Sequence, residues 1–174
     1  MKLDSLLTVI RTLNTRKVRF LVVGGVAVNL HGYTRVTRDL DLVVQLSSDN
    51  AEAAMHALAE LGYHPQVPVG IEEFADEGKR RDWIADKHME VFSVVSERYP
   101  DTTVDLFVTE PFPFDDEYRA ADLYKIAPDI TVPVARPQAL IEMKRTAGRD
   151  RDLDDIQHLQ WLLEQRNEDG EKDG

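Results

Sequence analysis

The chain has 174 residues, 43% of them hydrophobic, carries a formal net charge of −11 and contains no cysteine. That length and apolar content suit one domain, or one domain with a helical appendage, and the absent thiols exclude disulfides, thiolate chemistry and cysteine-ligated zinc. The acidity disfavours the surface as a nucleic-acid footprint, though not a local basic lip, and no run approaches the roughly 20 apolar residues of a membrane span.

In chain order, Leu6, Leu7, Ile10 and Leu13 repeat at helical spacing, and Val18 to Val23 is a β-rich run that stops at Gly24-Gly25. Val26, Ala27, Val28 and Leu30 predict a short helix ending near Gly32, before a strand from Asp39 to Leu46. Ser47 to Asn50 offers N-caps for a helix carrying Ala54, Met55, Leu58 and Leu61 and stopped by Gly62. The charged stretch Glu72 to His88, anchored by Phe74, Trp83 and Ile84, reads as a helix over the sheet. Met89 to Val95 and Thr102 to Thr109 read as an antiparallel pair, and Ile130 to Val134 as an edge strand because Pro133 interrupts a central ladder. Two helices follow: Pro137 to about Thr146, then Asp150 to about Arg166 with Leu153, Ile156, Leu159 and Leu163 buried. Three regions result: a core over 1–136, C-terminal helices over 137–166, and a frayed acidic tail over 167–174. Met1 to Leu6 lacks the order of a secretory signal, so a cytoplasmic location is expected.

Three aspartates stand out. Asp39 and Asp41 lie at i and i+2 of one strand and so share a face, and Asp105 interrupts the apolar run Val104 to Val108. Carboxylates on buried strands call for a cationic partner, and hard oxygen ligands suit Mg²⁺ better than Zn²⁺. Gly24-Gly25, at a strand-to-helix junction, is either a tight turn or a close-approach point for a phosphate. Neither dinucleotide nor Walker glycine spacing is present. Asp101 lies four residues before Asp105, an offset that leaves both on one face if the strand begins early.

Leu21-Val22-Val23-Gly24-Gly25, Thr37-Arg38-Asp39-Leu40-Asp41-Leu42 and Val104-Asp105-Leu106 together resemble the nucleotidyltransferase superfamily (polymerase β-like). The stretch Leu140 to Ile156 looks like the C-terminal segment of small bacterial stand-alone members, which include the minimal nucleotidyltransferases and the AbiEii-like toxin group. The resemblance runs from about Val18 to Leu163. It implies an α/β (α+β) fold, a mixed β-sheet flanked by helices with a C-terminal helical segment. It also implies Mg²⁺-dependent transfer of a nucleoside monophosphate from a nucleoside triphosphate, ATP included, to an acceptor hydroxyl. Asp39, Asp41 and Asp105 would hold two Mg²⁺ ions and carry the chemistry, Asp105 near the acceptor hydroxyl. Gly24 and Gly25 would receive the β- and γ-phosphates, and Thr37, Arg38, Lys144 and Arg149 would contact the nucleotide.

Each of these last four has a plainer role beside it. Lys144 and Arg149 are otherwise helix-surface charges, and Thr37 and Arg38 strand-entry residues. Asp152 and Asp155 read as structural, capping a helix and pairing with Arg149 or Arg151; His31 reads as a packed histidine; Lys79-Arg80-Arg81 reads as a wet helix face. The acceptor stays open among the 3′ end of a tRNA, a hydroxyl of a protein partner, and a small molecule such as an aminoglycoside, with the acidity favouring a cationic acceptor. A homodimer or a toxin–antitoxin complex would close an open cleft. Two other functions use the same residues: a non-catalytic nucleotide-binding module or toxin–antitoxin component, and a metal-dependent phosphohydrolase.

Overall fold

The computed structural model describes residues 1–172, with side chains through Glu168. The elements in chain order are α1 (Leu3–Thr15), β1 (Phe20–Val23), α2 (Gly24–Leu30), β2 (Asp39–Val44), α3 (Ser48–Glu60) and β3 (Tyr63–Pro65). A 3-10 turn (Ile71–Ala75) leads to α4 (Glu77–Lys87), β4 (Val91–Ser96), β5 (Thr103–Phe107), α5 (Phe114–Ala120), β6 (Asp122–Ala127) and β7 (Ile130–Val134). Then come α6 (Pro137–Ala147), a 3-10 turn (Asp150–Asp152) and α7 (Leu153–Lys172).

The strands form one mixed sheet in the order β3-β4-β5-β2-β1-β7-β6. β1, apolar throughout and buried at all four positions, occupies a central place, antiparallel to β2 and parallel to β7. β2 runs parallel to β5, and β5 antiparallel to β4, as the hairpin reading requires. Burial alternates along β4 and β5: Phe92, Val94, Val104 and Leu106 are buried, whereas Val91, Ser93, Asp105 and Phe107 are half-buried on the other face. Val91, Asp105 and Phe107 of that second face line the cleft described below.

Several expectations need correction. β7 is not an edge: it lies between β1 and β6, and β6 forms the edge. Pro133 is tolerated because alternation sends its missing donor toward β1, as Ala135 N–H does in donating to Val22 O, and β7 shares only the pair Val22↔Val134 with β1. The 72–88 helix is two pieces, broken at Asp76, whose side chain caps α4 by accepting from Lys79 N–H. At the start of α3, Ser47 makes no side-chain cap; Asn50 instead ties Arg19 N–H, Arg19 O and Gln45 O together.

On α7, Leu159 is buried, Ile156 and Leu163 are half-buried, and Leu153 is 59% exposed, because the 3-10 turn before it rotates the helical phase. α7 continues to Lys172, past the end expected near Arg166; the remainder of the expected tail, Asp173 and Gly174, lies outside the described residues. Arg80 is no wet charge: it is 4% exposed and donates to Phe74 O at 2.5 Å, while Lys79 pairs with Glu73 and Arg81 with Glu77. No helix among the described residues is long and apolar enough to cross a membrane.

Candidate active site

The nine residues singled out by sequence, Gly24, Gly25, Thr37, Arg38, Asp39, Asp41, Asp105, Lys144 and Arg149, all line one cleft of about 930 Å³. Strand register explains how three distant carboxylates meet. Asp41 is paired with Asp105 across the parallel β2–β5 ladder and with Val23, the residue before Gly24, across the antiparallel β1–β2 ladder. Asp39 sits two residues earlier on the same face, opposite Thr103. Asp101 is not part of this row: it lies beyond the start of β5, accepting from Ser5 and pairing with Lys2.

Gly24 has φ +63°, and a Cβ there would fall inside the Asp41 carboxylate, so only glycine leaves Asp41 its place. Gly25 is just as confined, since its Cβ would stand 2.7 Å from Thr37 Oγ1 and 2.9 Å from an Arg35 guanidinium nitrogen. Both glycines therefore let side chains and ligand approach the backbone where β1 hands over to α2.

The electrostatics are dominated by uncompensated negative charge. Burial, reinforced by Asp105 and Asp39, pushes Asp41 up to about 7, against the opposing pull of the Gly25 N–H and Lys144. Burial also raises Asp105, with Ser93 opposing the rise, and Asp105 Oδ1 is buried without a hydrogen-bond partner. A buried, unpartnered carboxylate oxygen is costly and suits a cation bound beside it. Among the described residues no three His, Cys, Asp or Glu side chains converge closely enough to cage a metal by themselves. The donor set nevertheless fits Mg²⁺, which is commonly held by one or two carboxylates with water and substrate phosphates completing its octahedron.

The cationic wall differs from expectation in its wiring. Lys144, 8% exposed, donates from Nζ to Asp152 Oδ1 at 2.8 Å and Asp155 Oδ2 at 2.6 Å. Asp152 and Asp155 are thus structural partners of Lys144, not of Arg149 or Arg151, and Arg149 instead approaches Glu90 at 3.4 Å. Arg38 and Thr37 lie at the cleft's edge, Thr37 Oγ1 donating to Asp39 O at 3.3 Å. His31 is packed as expected: one ring nitrogen contacts Ala135 O at 2.9 Å, the other Tyr124 Oη at 2.8 Å, and burial lowers its pKa.

Sequence reasoning missed Arg35, which lines the cleft and pairs with Asp155 at 2.8 Å. The signal was present in the alternation Arg35, Thr37, Asp39, Asp41, which runs at strand spacing into the carboxylate pair. It also missed the apolar part of the lining, Ile84, Met89, Val91, Phe107 and Pro111, of which the β4–β5 register sets Val91 opposite Phe107.

No protein-family model and no curated protein matches the chain. Solved structures do. The lincosamide antibiotic adenylyltransferase LnuA, in its lincomycin-bound crystal structure, superposes with a TM-score of 0.61 at 16% identity, over 93% of this chain and 98% of that one. ANT(2'')-Ia in complex with adenylyl-2''-tobramycin gives 0.58 at 12% identity, over 92% and 88% respectively. The solution structure of the same antibiotic-resistance factor gives 0.57 at 12%, over 91% and 82%. The fold is therefore that of these nucleotidyltransferases, over nearly the whole chain, a mixed sheet with flanking helices as the motif resemblance implied.

Proposed function

We propose that this cleft transfers a nucleoside monophosphate from a nucleoside triphosphate to the hydroxyl of a small-molecule acceptor. The observation that carries the reading is the row Asp39, Asp41, Asp105 beside Gly24-Gly25, with Asp41 pushed up to about 7 by burial and by its two acidic neighbours. Asp39, Asp41 and Asp105 would hold Mg²⁺ ions, whose charge would offset that of the carboxylates, stabilise charge on the reacting phosphate and acidify an acceptor hydroxyl. Gly24 and Gly25 admit phosphate oxygens to the backbone, and Asp105, with its raised pKa, takes the acceptor proton. The acceptor oxygen then bonds to the α-phosphorus as the bond to pyrophosphate breaks, with no covalent enzyme intermediate.

A small acceptor is favoured over tRNA or a protein hydroxyl by the cleft itself. Beyond the carboxylates its lining includes Ile84, Met89, Val91 and Phe107, an apolar patch suited to the body of a compact molecule. The net charge of −11 further disfavours a polyanionic acceptor. The structural neighbours point the same way, one holding lincomycin and one an adenylylated tobramycin. Membership of the AbiEii-like toxin group would instead place the acceptor on tRNA or a partner protein.

The test is incubation of the protein and its Asp39→Ala/Asp41→Ala variant with Mg²⁺ and each α-³²P-labelled nucleoside triphosphate. Three acceptor pools are offered separately: aminoglycosides and lincosamides, total tRNA, and lysate protein. Label moving to a small molecule with wild type alone is expected. Label on tRNA or protein would overturn the acceptor assignment, and tight nucleotide binding without transfer would favour a binding module.

A further inference from the structure

One cation of the cleft is built in more firmly than a surface charge requires. Arg35 belongs to the extended segment between α2 and β2, and Asn29 of α2 brackets its backbone: Arg35 N–H donates to Asn29 Oδ1 at 2.9 Å, and Asn29 Nδ2 donates to Arg35 O at 2.9 Å. Its Nη1 donates to Asp155 Oδ2 at 2.8 Å, and Asp155, 2% exposed, is held in turn by Lys144. Two residues earlier Tyr33 stacks on His158 at 3.6 Å and donates its hydroxyl to Asp154. The segment is thus fastened at two points to α7.

The rest of the guanidinium faces the glycines. Nη2 lies 2.9 Å from the position a Gly25 Cβ would take, and Nε is buried with no partner. An arginine serving only to neutralise Asp155 would present its fork to both carboxylate oxygens. Here one nitrogen is given to Asp155, Nη2 is left beside Gly25, and Nε is buried unpartnered, a costly state for an N–H unless a ligand accepts from it. Arg35 and Lys144 balance Asp152 and Asp155 in charge, so the cluster can stand while Arg35 turns its free edge to an anion.

We infer that Arg35 is a triphosphate-binding residue, positioned by Asn29 and Asp155, and that α6 and α7 are therefore part of the nucleotide site. The inference rests on the nucleotidyl-transfer reading of the same cleft. A planar fork recognises two phosphate oxygens, a geometry lysine cannot reproduce. Asp155 is a positioning residue, holding Arg35 and held by Lys144.

The experiment is calorimetric binding of a nucleoside triphosphate, the matching monophosphate and inorganic triphosphate, each with Mg²⁺, to wild type, Arg35→Ala, Arg35→Lys and Asp155→Asn. Arg35→Ala is expected to weaken both triphosphates about 10- to 100-fold, the range of a lost charge-assisted bond, with monophosphate affinity within about twofold of wild type. Arg35→Lys recovers only part of the loss. In the labelling assay with its acceptor, Asp155→Asn raises the KM for the nucleotide several-fold with kcat nearly unchanged. Triphosphate binding unaltered in Arg35→Lys and Arg35→Ala, or equal loss of mono- and triphosphate, would overturn the assignment; if Arg35→Ala does not fold, Arg35→Lys decides alone. Wild type that binds no triphosphate at all would overturn the underlying reading and this inference with it.

Discussion

A buried carboxylate packed against two others resists ionisation, and at Asp41 this resistance, set first by burial and then by Asp105 and Asp39, couples folding to pH. Its folded-state value is about 7 against an ordinary 3.8, so between those values the folded protein binds more protons than the unfolded chain. Stability must then fall as pH rises through that window and level off above it. The expected outcome in metal-free buffer is a thermal midpoint for Asp41→Asn that exceeds wild type increasingly from pH 4 to 7, and a gap that Mg²⁺ narrows at pH 8. A gap independent of pH would mean that Asp41 is solvated. At Gly24 the consequence is geometric: φ +63° strains any other residue, and a methyl group displaces the Asp41 carboxylate. Because misplacing a catalytic group by about 1 Å costs on the order of 100-fold, Gly24→Ala should lower kcat/KM by at least that factor in a steady-state assay. Retained turnover would remove Gly24 from the site.

Among elements, the junction of α6 with α7 turns on Lys144, whose ammonium separates two nearly buried carboxylates. Lys144→Ala leaves Asp152 without its cation and Asp155 with Arg35 alone, and removing one partner of a buried ion pair costs about 3–5 kcal/mol. Urea unfolding should report a loss of that size, and a loss below about 1 kcal/mol would show that water screens the cluster. The elements legible in sequence were those whose pattern is local: the apolar run of β1, the Asp-x-Asp strand β2, the α1 and α3 periodicities, and α6 between Pro137 and Gly148. β3 is three residues long, α5 carries four charged residues out of seven after Pro113, and β6 pairs only with β7, so none announces itself locally. The place of β7 escaped because Pro133 is harmless or fatal according to which neighbour its missing donor faces, and pairing is a tertiary fact. Within the site, acids flanked by Leu and Val were conspicuous, whereas Arg35 sits among polar loop residues and gains its meaning from Asn29 and Asp155.

For the whole molecule, the sheet brings carboxylates from β2 and β5 to the end of β1, while α6 and the 3-10 turn after it supply Lys144 and Asp152 to the same cleft, and Asp155 of α7 pairs with Lys144. A protein of net charge −11 thereby keeps a few cations where a triphosphate would lie and three anions where divalent ions would lie. Such an arrangement can hydrolyse, bind or transfer, and the products distinguish the three. The direct measurement is single-turnover product analysis with γ- and α-labelled nucleoside triphosphate, Mg²⁺ and the acceptor found in the labelling experiment. Pyrophosphate released one-for-one with α-label gained by the acceptor, and abolished in Asp39→Ala/Asp41→Ala, is the predicted result. Release of inorganic phosphate without label on any acceptor, or stable binding with no product, would contradict nucleotidyl transfer.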